Sequence, residues 1–237
     1  MAATTAGTAA VAMPAAVVTT VVAVTARPVA TTAERTLPGP APDTGSGRHP
    51  HEGWRPLRHT AGPGGHNGTV RTEDLTGRLL VATPGLGEGV FERCVMLVLH
   101  HGDEGAQAVV LNKPVDATID TVLDGWQEHV REPQVLFQGG PVQLDSALGV
   151  VGVVDPALDV DGVQQLFPGV GVVDLDTPAD QVMPHLTGVR IFAGYAGWVA
   201  GQLEGEIRNG SWYVVDRLPG DVFSDEPGTL WRRVLRR

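Results

Sequence analysis

The stretch RIFAGYAGWVAGQLEGEIRNGSW, residues 190–212, decides how the rest of this chain is interpreted. It places polar-tipped aromatic side chains beside an amide, two carboxylates and an arginine. Such density is unusual here, because the whole sequence contains only 2 Tyr and 5 Trp. We therefore treat the segment as the first candidate for a functional or structural site. Its candidate residues are Arg190, Tyr195, Trp198, Gln202, Glu204 and Glu206.

The spacing within this segment predicts a strand followed by a helix. Residues 190–194 are strand-like, and residues 200–209 carry Leu203 and Ile207 four positions apart, on one face of a helix. Tyr195 and Trp198 are then expected at the corner between strand and helix. Gly194 and Gly197 are expected to let the backbone approach other segments closely there.

Two interpretations of this corner are open. In the first, aromatic, amide and carboxylate groups form a small-molecule or peptide site, with His100 and Asn112 as further candidates. In the second, the corner is structural, and Arg190 forms an ion pair with Glu204 or Glu206. A deep pocket that joins His100, Asn112 and Glu206 would favour the first interpretation.

Composition divides the chain near residue 70. Residues 1–70 are rich in Ala, Thr, Gly, Pro and His and have almost no Phe, Ile or Leu, so we expect a disordered low-complexity tail. A second interpretation is a start codon that lies downstream, since a GUG codon at Val70 would be translated internally as valine. Residues 71–237 hold nearly all the bulky apolar residues and are expected to form the folded domain.

Charge argues against direct DNA binding. The whole chain has a net charge of −10 and, by count, residues 71–237 combine 12 Lys and Arg with 24 Asp and Glu, or −12. Non-specific DNA affinity depends on Lys and Arg that neutralise phosphates. The one basic cluster, the four arginines among residues 232–237, is expected to be a solvated helix face and helix end.

The coarse pattern predicts an α+β fold. Residues 78–82, 94–100 and 107–111 are predicted strands, the last two forming an antiparallel hairpin. Helical spacing is found in residues 119–126 and 179–186, and a final helix is expected from Pro227 onward. Short strands mixed with short helices, without regular β-α alternation, favour α+β.

Catalytic and metal-binding signals are weak. The nucleophile-elbow, phosphate-loop, zinc-protease and Cys-pair motifs are absent from the sequence. His100 and His101 are adjacent on a predicted strand, where neighbouring side chains diverge, so we expect neither a metal site nor a cofactor. Cys94, the single cysteine, lies in an apolar run and is expected to be a buried small hydrophobic residue.

Several ordered motifs together resemble the YqgE/AlgH family of bacterial proteins. They are GRLLVATP at 77–84, FER at 91–93, His100, GA at 105–106, VVLNKP at 109–114, GGPV at 139–142, the 190–212 segment and LW at 230–231. The chain departs from the family pattern at Ala108, where Gly is usual, and at Val199-Ala200, where Gly-Pro is usual. It also has the long tail and a short C-terminus.

This resemblance implies coiled, bifurcated and mostly antiparallel β-sheets with short flanking helices. The family is labelled as transcriptional regulators, but its biochemical role is unsettled. We therefore expect a cytoplasmic, non-enzymatic regulator that binds another protein or a small ligand, and neither DNA nor a membrane. The alternative is an enzyme or small-molecule-binding protein that uses the corner at residues 190–206.

Overall fold

The computed structural model describes residues 73–237, except residues 88 and 158, together with the backbone of Arg27–Pro28. The prediction for residues 1–70 therefore lies outside the described residues, apart from that dipeptide.

Ten strands in the described part of the chain form one sheet. They are β1 Arg27–Pro28, β2 Leu79–Ala82, β3 Val95–Gly102, β4 Gly105–Val110, β5 Phe137–Gln138, β6 Val142–Val153, β7 Val163–Phe167, β8 Val170–Val173, β9 Leu186–Val199 and β10 Trp212–Val215. Three α-helices accompany them: α1 Ala179–Val182, α2 Gln202–Arg208 and α3 Pro227–Leu235. Short 3-10 turns occur at Ile119–Thr121, Gln127–His129 and Met183–His185.

The strand order is β10-β2-β3-β4-β9-β6-β8-β7, with β1 paired to β6 and β5 paired to β9. All pairs are antiparallel except β5 with β9. This mostly antiparallel sheet with a few short helices confirms the α+β prediction. The finer prediction of bifurcated sheets stays a prediction.

The long strand β9 joins the two halves of the sheet. Its first part, residues 186–193, pairs with β6, and its last part, residues 196–199, pairs with β4. Because the segment 190–212 begins in this strand, its residues lie where the two halves meet.

The sheet curls around a central apolar cluster. Both halves contribute, with Leu79 and Leu97 from one side and Val150 and Val172 from the other. Helix α3 covers this cluster with Leu230 and Val234, as the spacing of the final helix predicts.

Two further clusters lie on the opposite faces. One packs Leu203 of α2 and Trp198 of β9 against residues of β2, β3 and β4. The other packs α1 and the 3-10 turns against β6, β8 and β9. Helices α2 and α3 therefore cover opposite faces of the sheet, because neighbouring residues of β2 alternate between the two clusters.

The predicted hairpin is confirmed, since β3 and β4 are antiparallel and joined at Gly102–Gly105. The helix predicted at residues 119–126 is wrong. Its apolar residues Ile119, Leu123 and Trp126 are buried, but Gly125 adopts φ 78 and the backbone forms only 3-10 turns around it. A glycine in the left-handed conformation terminates a helix. The apolar residues are therefore buried from a series of turns and not from one helix.

Pro184 has a similar effect on the second predicted helix. Only Ala179–Val182 is α-helical, and the chain continues as a 3-10 turn that contains the proline, which has no backbone N–H to donate. The predicted pattern also missed β7, an edge strand whose exposed Gln164 and Gln165 interrupt the apolar alternation.

Candidate functional site

The corner at residues 190–212 is shifted from its predicted position. Tyr195 and Trp198 lie within β9, which continues to Val199, and α2 begins only at Gln202. The turn between them depends on Gly201, whose φ of 76 lies in the left-handed region that glycine adopts without strain.

Glu206 is the centre of the polar network. Its Oε2 accepts hydrogen bonds from the indole N–H of Trp198 at 2.9 Å and of Trp212 at 2.8 Å. Its Oε1 accepts a third, from the Gln202 side chain at 3.1 Å. A carboxylate that accepts from fixed donors makes stronger bonds than a neutral acceptor does.

The aromatic rings of this network are tightly packed. Trp198 and Trp212 meet edge to face with centroids 6.3 Å apart, and Phe91 packs edge to face on Trp212 at 5.7 Å. All three rings are buried, so Glu206 provides the acceptor that their two indole N–H groups require inside the protein. The side-chain oxygen Oε1 of Gln202 meanwhile accepts the Val199 backbone N–H at 3.2 Å, which links α2 to the end of β9.

Glu204 pairs with a histidine. His101 on β3 places Nε2 at 3.0 Å from Glu204 Oε1, and its Nδ1 accepts the Leu75 backbone N–H at 3.3 Å. An accepting Nδ1 requires the tautomer with the proton on Nε2, and this proton is then donated to the carboxylate. His101 is 8% exposed, so this bond fixes α2 to β3 from inside.

The prediction that Arg190 pairs with Glu204 or Glu206 is wrong. Arg190 is 1% exposed and donates to three backbone carbonyls, of Val222 at 2.9 Å, Glu132 at 2.8 Å and Ser224 at 3.0 Å. Its guanidinium lies 4.4 Å from the centroid of the Phe137 ring. Both acids lie beyond the far end of β9, and the side chain of Arg190 instead joins that strand to the segment before α3.

The surroundings of Arg190 change its acidity. Burial removes water from the guanidinium and lowers its pKa to about 10, although Asp225 nearby acts in the opposite direction. At neutral pH the group is still charged, and carbonyl oxygens and the Phe137 ring face it in place of water.

Tyr195 belongs to the central core. It is buried against the central cluster, and loss of solvent raises the pKa of its hydroxyl. Glycines allow the backbone to pack here, because a Cβ on Gly140 would collide with the Tyr195 backbone. The predicted close approach of the backbone is confirmed at Gly194, because a Cβ added there would lie 2.6 Å from the Val142 carbonyl oxygen. A Cβ added at Gly197 would meet only the edge of the Tyr195 ring.

His100 and Asn112 do not join this network. His100 is opposite Gln107 near the end of β3, and burial lowers the pKa of its imidazole. Asn112 lies at the other end of β3, where it accepts the Val95 N–H at 2.8 Å and donates to the Arg93 carbonyl at 2.9 Å. The structure therefore does not bring His100, Asn112 and Glu206 into one pocket.

An open pocket of about 230 Å³ lies elsewhere, between the end of β6 and β7. Its lining residues include Val153, Val160 and Gln165 and none of the candidate residues. Within the described part of the chain, no three His, Cys, Asp or Glu side chains are placed to hold a metal ion.

Cys94 is buried as predicted, and burial raises its thiol pKa to about 12. Such a thiol is unreactive at neutral pH, because the thiolate is the nucleophile.

Sequence reasoning missed three residues that organise these contacts. They are His101, Trp212 and Asp221. The alternation of strand faces could have separated His101 from His100, and the motif itself includes Trp212. Asp221, 2% exposed, accepts both Arg237 guanidinium nitrogens at 2.8 and 2.6 Å, so part of the basic cluster predicted to be solvated is ion-paired.

Comparison with known proteins assigns the family. The AlgH-like family model, DUF179, matches residues 79–237. The chain belongs to the AlgH-like family. A UPF0301 protein of Streptomyces avermitilis is 49% identical over 175 residues, which cover 72% of this chain and 90% of the relative. A UPF0301 protein of Streptomyces coelicolor is also 49% identical, over 174 residues, with the same coverage of both chains.

Solved structures share the fold of this AlgH-like chain. The crystal structure of a Corynebacterium diphtheriae protein is similar with a TM-score of 0.65 and 35% identity, over 71% of this chain and 90% of that one. The solution structure of AlgH from Pseudomonas aeruginosa has a TM-score of 0.56 at 23% identity. The match covers 71% of this chain and 91% of that one, and it indicates the same fold. Among the described residues, no helix is both long and apolar enough to cross a membrane.

Proposed function

We propose that this AlgH-like chain is a cytoplasmic regulatory protein that acts by binding another protein and catalyses no reaction. One observation carries the proposal. The carboxylates of Glu204 and Glu206 and the terminal nitrogens of Arg190 are engaged within the protein, with Glu206 held by three donors and Arg190 by three carbonyls. A segment with that arrangement stabilises the fold. The partner protein then binds to the outer surface of the domain.

The charge distribution favours a protein partner over DNA. The net charge of −12 on residues 71–237 repels the phosphate backbone. Several arginines are also engaged within the protein, including Arg190 in the core and Arg237 on Asp221. If the chain regulates transcription, as the family label implies, it does so through contact with another protein.

The alternative function, a small-ligand site or an enzyme at the corner, has weaker support. Glu204 retains 21% exposure of its side chain and could contact a solute, but its nearest partner is the buried His101. A catalytic acid or base needs a free proton or lone pair directed at a substrate. Here His101 uses both ring nitrogens within the protein.

Formaldehyde cross-linking tests the proposal in cells that produce the full chain. We expect adducts with protein that persist after nuclease treatment and that are unchanged in a Glu204→Gln variant. Adducts that disappear with nuclease would contradict the proposal in favour of nucleic acid. Loss of the adducts in the Glu204→Gln variant, with an unchanged melting temperature, would favour the corner as the binding site.

A further inference from the structure

The outer surface of α3 concentrates positive charge on an acidic protein. Arg232 and Arg236 are both exposed and lie four positions apart, so they share one side of the helix. Arg93, from the turn before β3, adds a third guanidinium whose carbon lies 5.9 Å from the centroid of the Trp231 ring. We call these four residues, Arg93, Trp231, Arg232 and Arg236, the α3 basic face. It extends around the helix from the side of Trp231 to the side of Arg232 and Arg236, because consecutive helix positions are about 100° apart.

Most other arginines of the described region are engaged elsewhere. Arg78 pairs with Asp216, Arg131 with Asp225, and Arg233 and Arg237 with Asp221. Within the region that the structure describes, Arg232 and Arg236 have no carboxylate within ion-pair distance. Glu92 lies 3.6 Å from Arg93. The two helix arginines are therefore available to an external anion.

Trp231 gives the face an apolar component. Its indole N–H donates to the Ala82 carbonyl at 2.8 Å, which fixes the orientation of the ring, while the side chain stays partly exposed. Interfaces are enriched in Trp and Arg, because they combine a large contact area with directed hydrogen bonding.

We propose that the α3 basic face is a docking site for a short acidic segment of a partner protein that also carries an apolar or aromatic residue. The proposal rests on the protein-binding function proposed above and names its surface. Charge complementarity supports it: carboxylates accept from the arginines as bidentate pairs, and the apolar residue packs against Trp231.

A short acidic peptide fits this surface better than a nucleic acid does. Electrostatic interactions between exposed charges decay over about 8 Å at physiological ionic strength. A few carboxylates can therefore meet the local arginines without meeting the rest of the surface. A DNA or RNA strand would extend past them across a domain whose net charge is −12.

The test measures fluorescence anisotropy of a labelled six-residue peptide that contains three Glu and one central Phe, added to the full chain at physiological salt. The variant is Arg232→Glu combined with Arg236→Glu. The matched control is Arg208→Glu, because Arg208 is exposed on α2, which covers the opposite face of the sheet. Far-ultraviolet circular dichroism and thermal melts establish that all variants are folded.

We expect the double variant to weaken peptide binding by roughly tenfold or more, Arg208→Glu to leave it unchanged, and added salt to weaken it in the wild type. Equal binding by the double variant and the wild type would overturn the proposal, as would absence of binding. A 12-nucleotide single-stranded RNA and a 12-base-pair DNA are measured in parallel. If either nucleic acid binds more tightly than the peptide, and does so through Arg232 and Arg236, both this site and the proposed function are overturned. If the wild-type chain simply does not bind the peptide, this site is overturned and the proposed function stands.

Discussion

The indole N–H of Trp198 donates to Glu206 Oε2 across 2.9 Å, and this bond joins the longest strand of the sheet to α2. Trp212 on β10 donates to the same oxygen, so one carboxylate connects the last part of β9, α2 and the edge strand. This part of the segment therefore holds three elements of the fold together. Trp198, Gln202, Glu204 and Glu206 are explained by the hydrogen bonds that they make within the protein.

Arg190 should be among the residues whose loss destabilises the fold most. Arg190→Ala leaves three carbonyls without their donor and removes the group that packs on Phe137. We expect a loss of roughly 3–5 kcal/mol in the free energy of unfolding. Urea melts measure it, with Arg208→Ala on the exposed side of α2 as the control, which should change stability by less than about 0.5 kcal/mol.

The same melts test the corrected partner assignment. Because Arg190 contacts neither Glu204 nor Glu206, the effects of Arg190→Ala and Glu206→Ala should add to within about 0.5 kcal/mol. A larger coupling energy would show that Arg190 and Glu206 interact, in agreement with the ion pair that the sequence predicts. A loss for Arg190→Ala as small as that for Arg208→Ala would mean that the guanidinium is solvated and open to a ligand.

Cys94 should make stability fall with rising pH in the alkaline range. Its folded pKa is raised from 9.0 to about 12, so the thiol is neutral in both states below pH 9. Between pH 9 and about 12 the unfolded chain releases this proton and the folded chain retains it. The free energy of unfolding therefore falls by about 1.4 kcal/mol per pH unit from this group.

A Cys94→Ala variant supplies the comparison for this pH dependence. The difference in stability between wild type and variant should narrow as pH rises from 8 to 10.5, as followed by urea melts at each pH. A difference that stays constant would mean that the thiol ionises normally and is not buried in solution.

The tail of residues 1–70 should be dispensable for folding. It lacks the bulky apolar residues of a core, and its one described element is the dipeptide strand β1. A shortened chain that begins at Val70 should melt within a few degrees of the full chain by differential scanning calorimetry. A larger fall in melting temperature would show that the tail, including the pairing of β1 with β6, contributes to the stability of the domain.

The sequence predicted elements better than it predicted partners. The strand patterns identified β2 and the β3–β4 hairpin, and helical spacing identified the buried residues of α3. The spacing at residues 119–126 found the buried residues but not the backbone, because a glycine with positive φ decides the turn. Local patterns report which side chains are buried, and they report backbone geometry less reliably.

Partners depend on contacts between distant segments, which one sequence does not encode locally. Glu204 and His101 are 103 positions apart, and the carbonyls that Arg190 contacts are 32 to 58 positions away. The proximity of Arg190 and Glu204 along the chain suggested an ion pair. Strand β9, however, continues past Arg190 for nine residues and carries the two groups apart.

The most direct test of the account is the free energy of unfolding of Glu206→Ala, measured in urea against Arg208→Ala from the same helix. Glu206→Ala leaves the buried indoles of Trp198 and Trp212 without an acceptor, so we expect a loss of about 2–4 kcal/mol. Glu206→Gln retains one acceptor oxygen and should lose less. A Glu206→Ala protein as stable as Arg208→Ala would contradict the account, since the carboxylate would then be free for a ligand and the segment 190–212 would be a site.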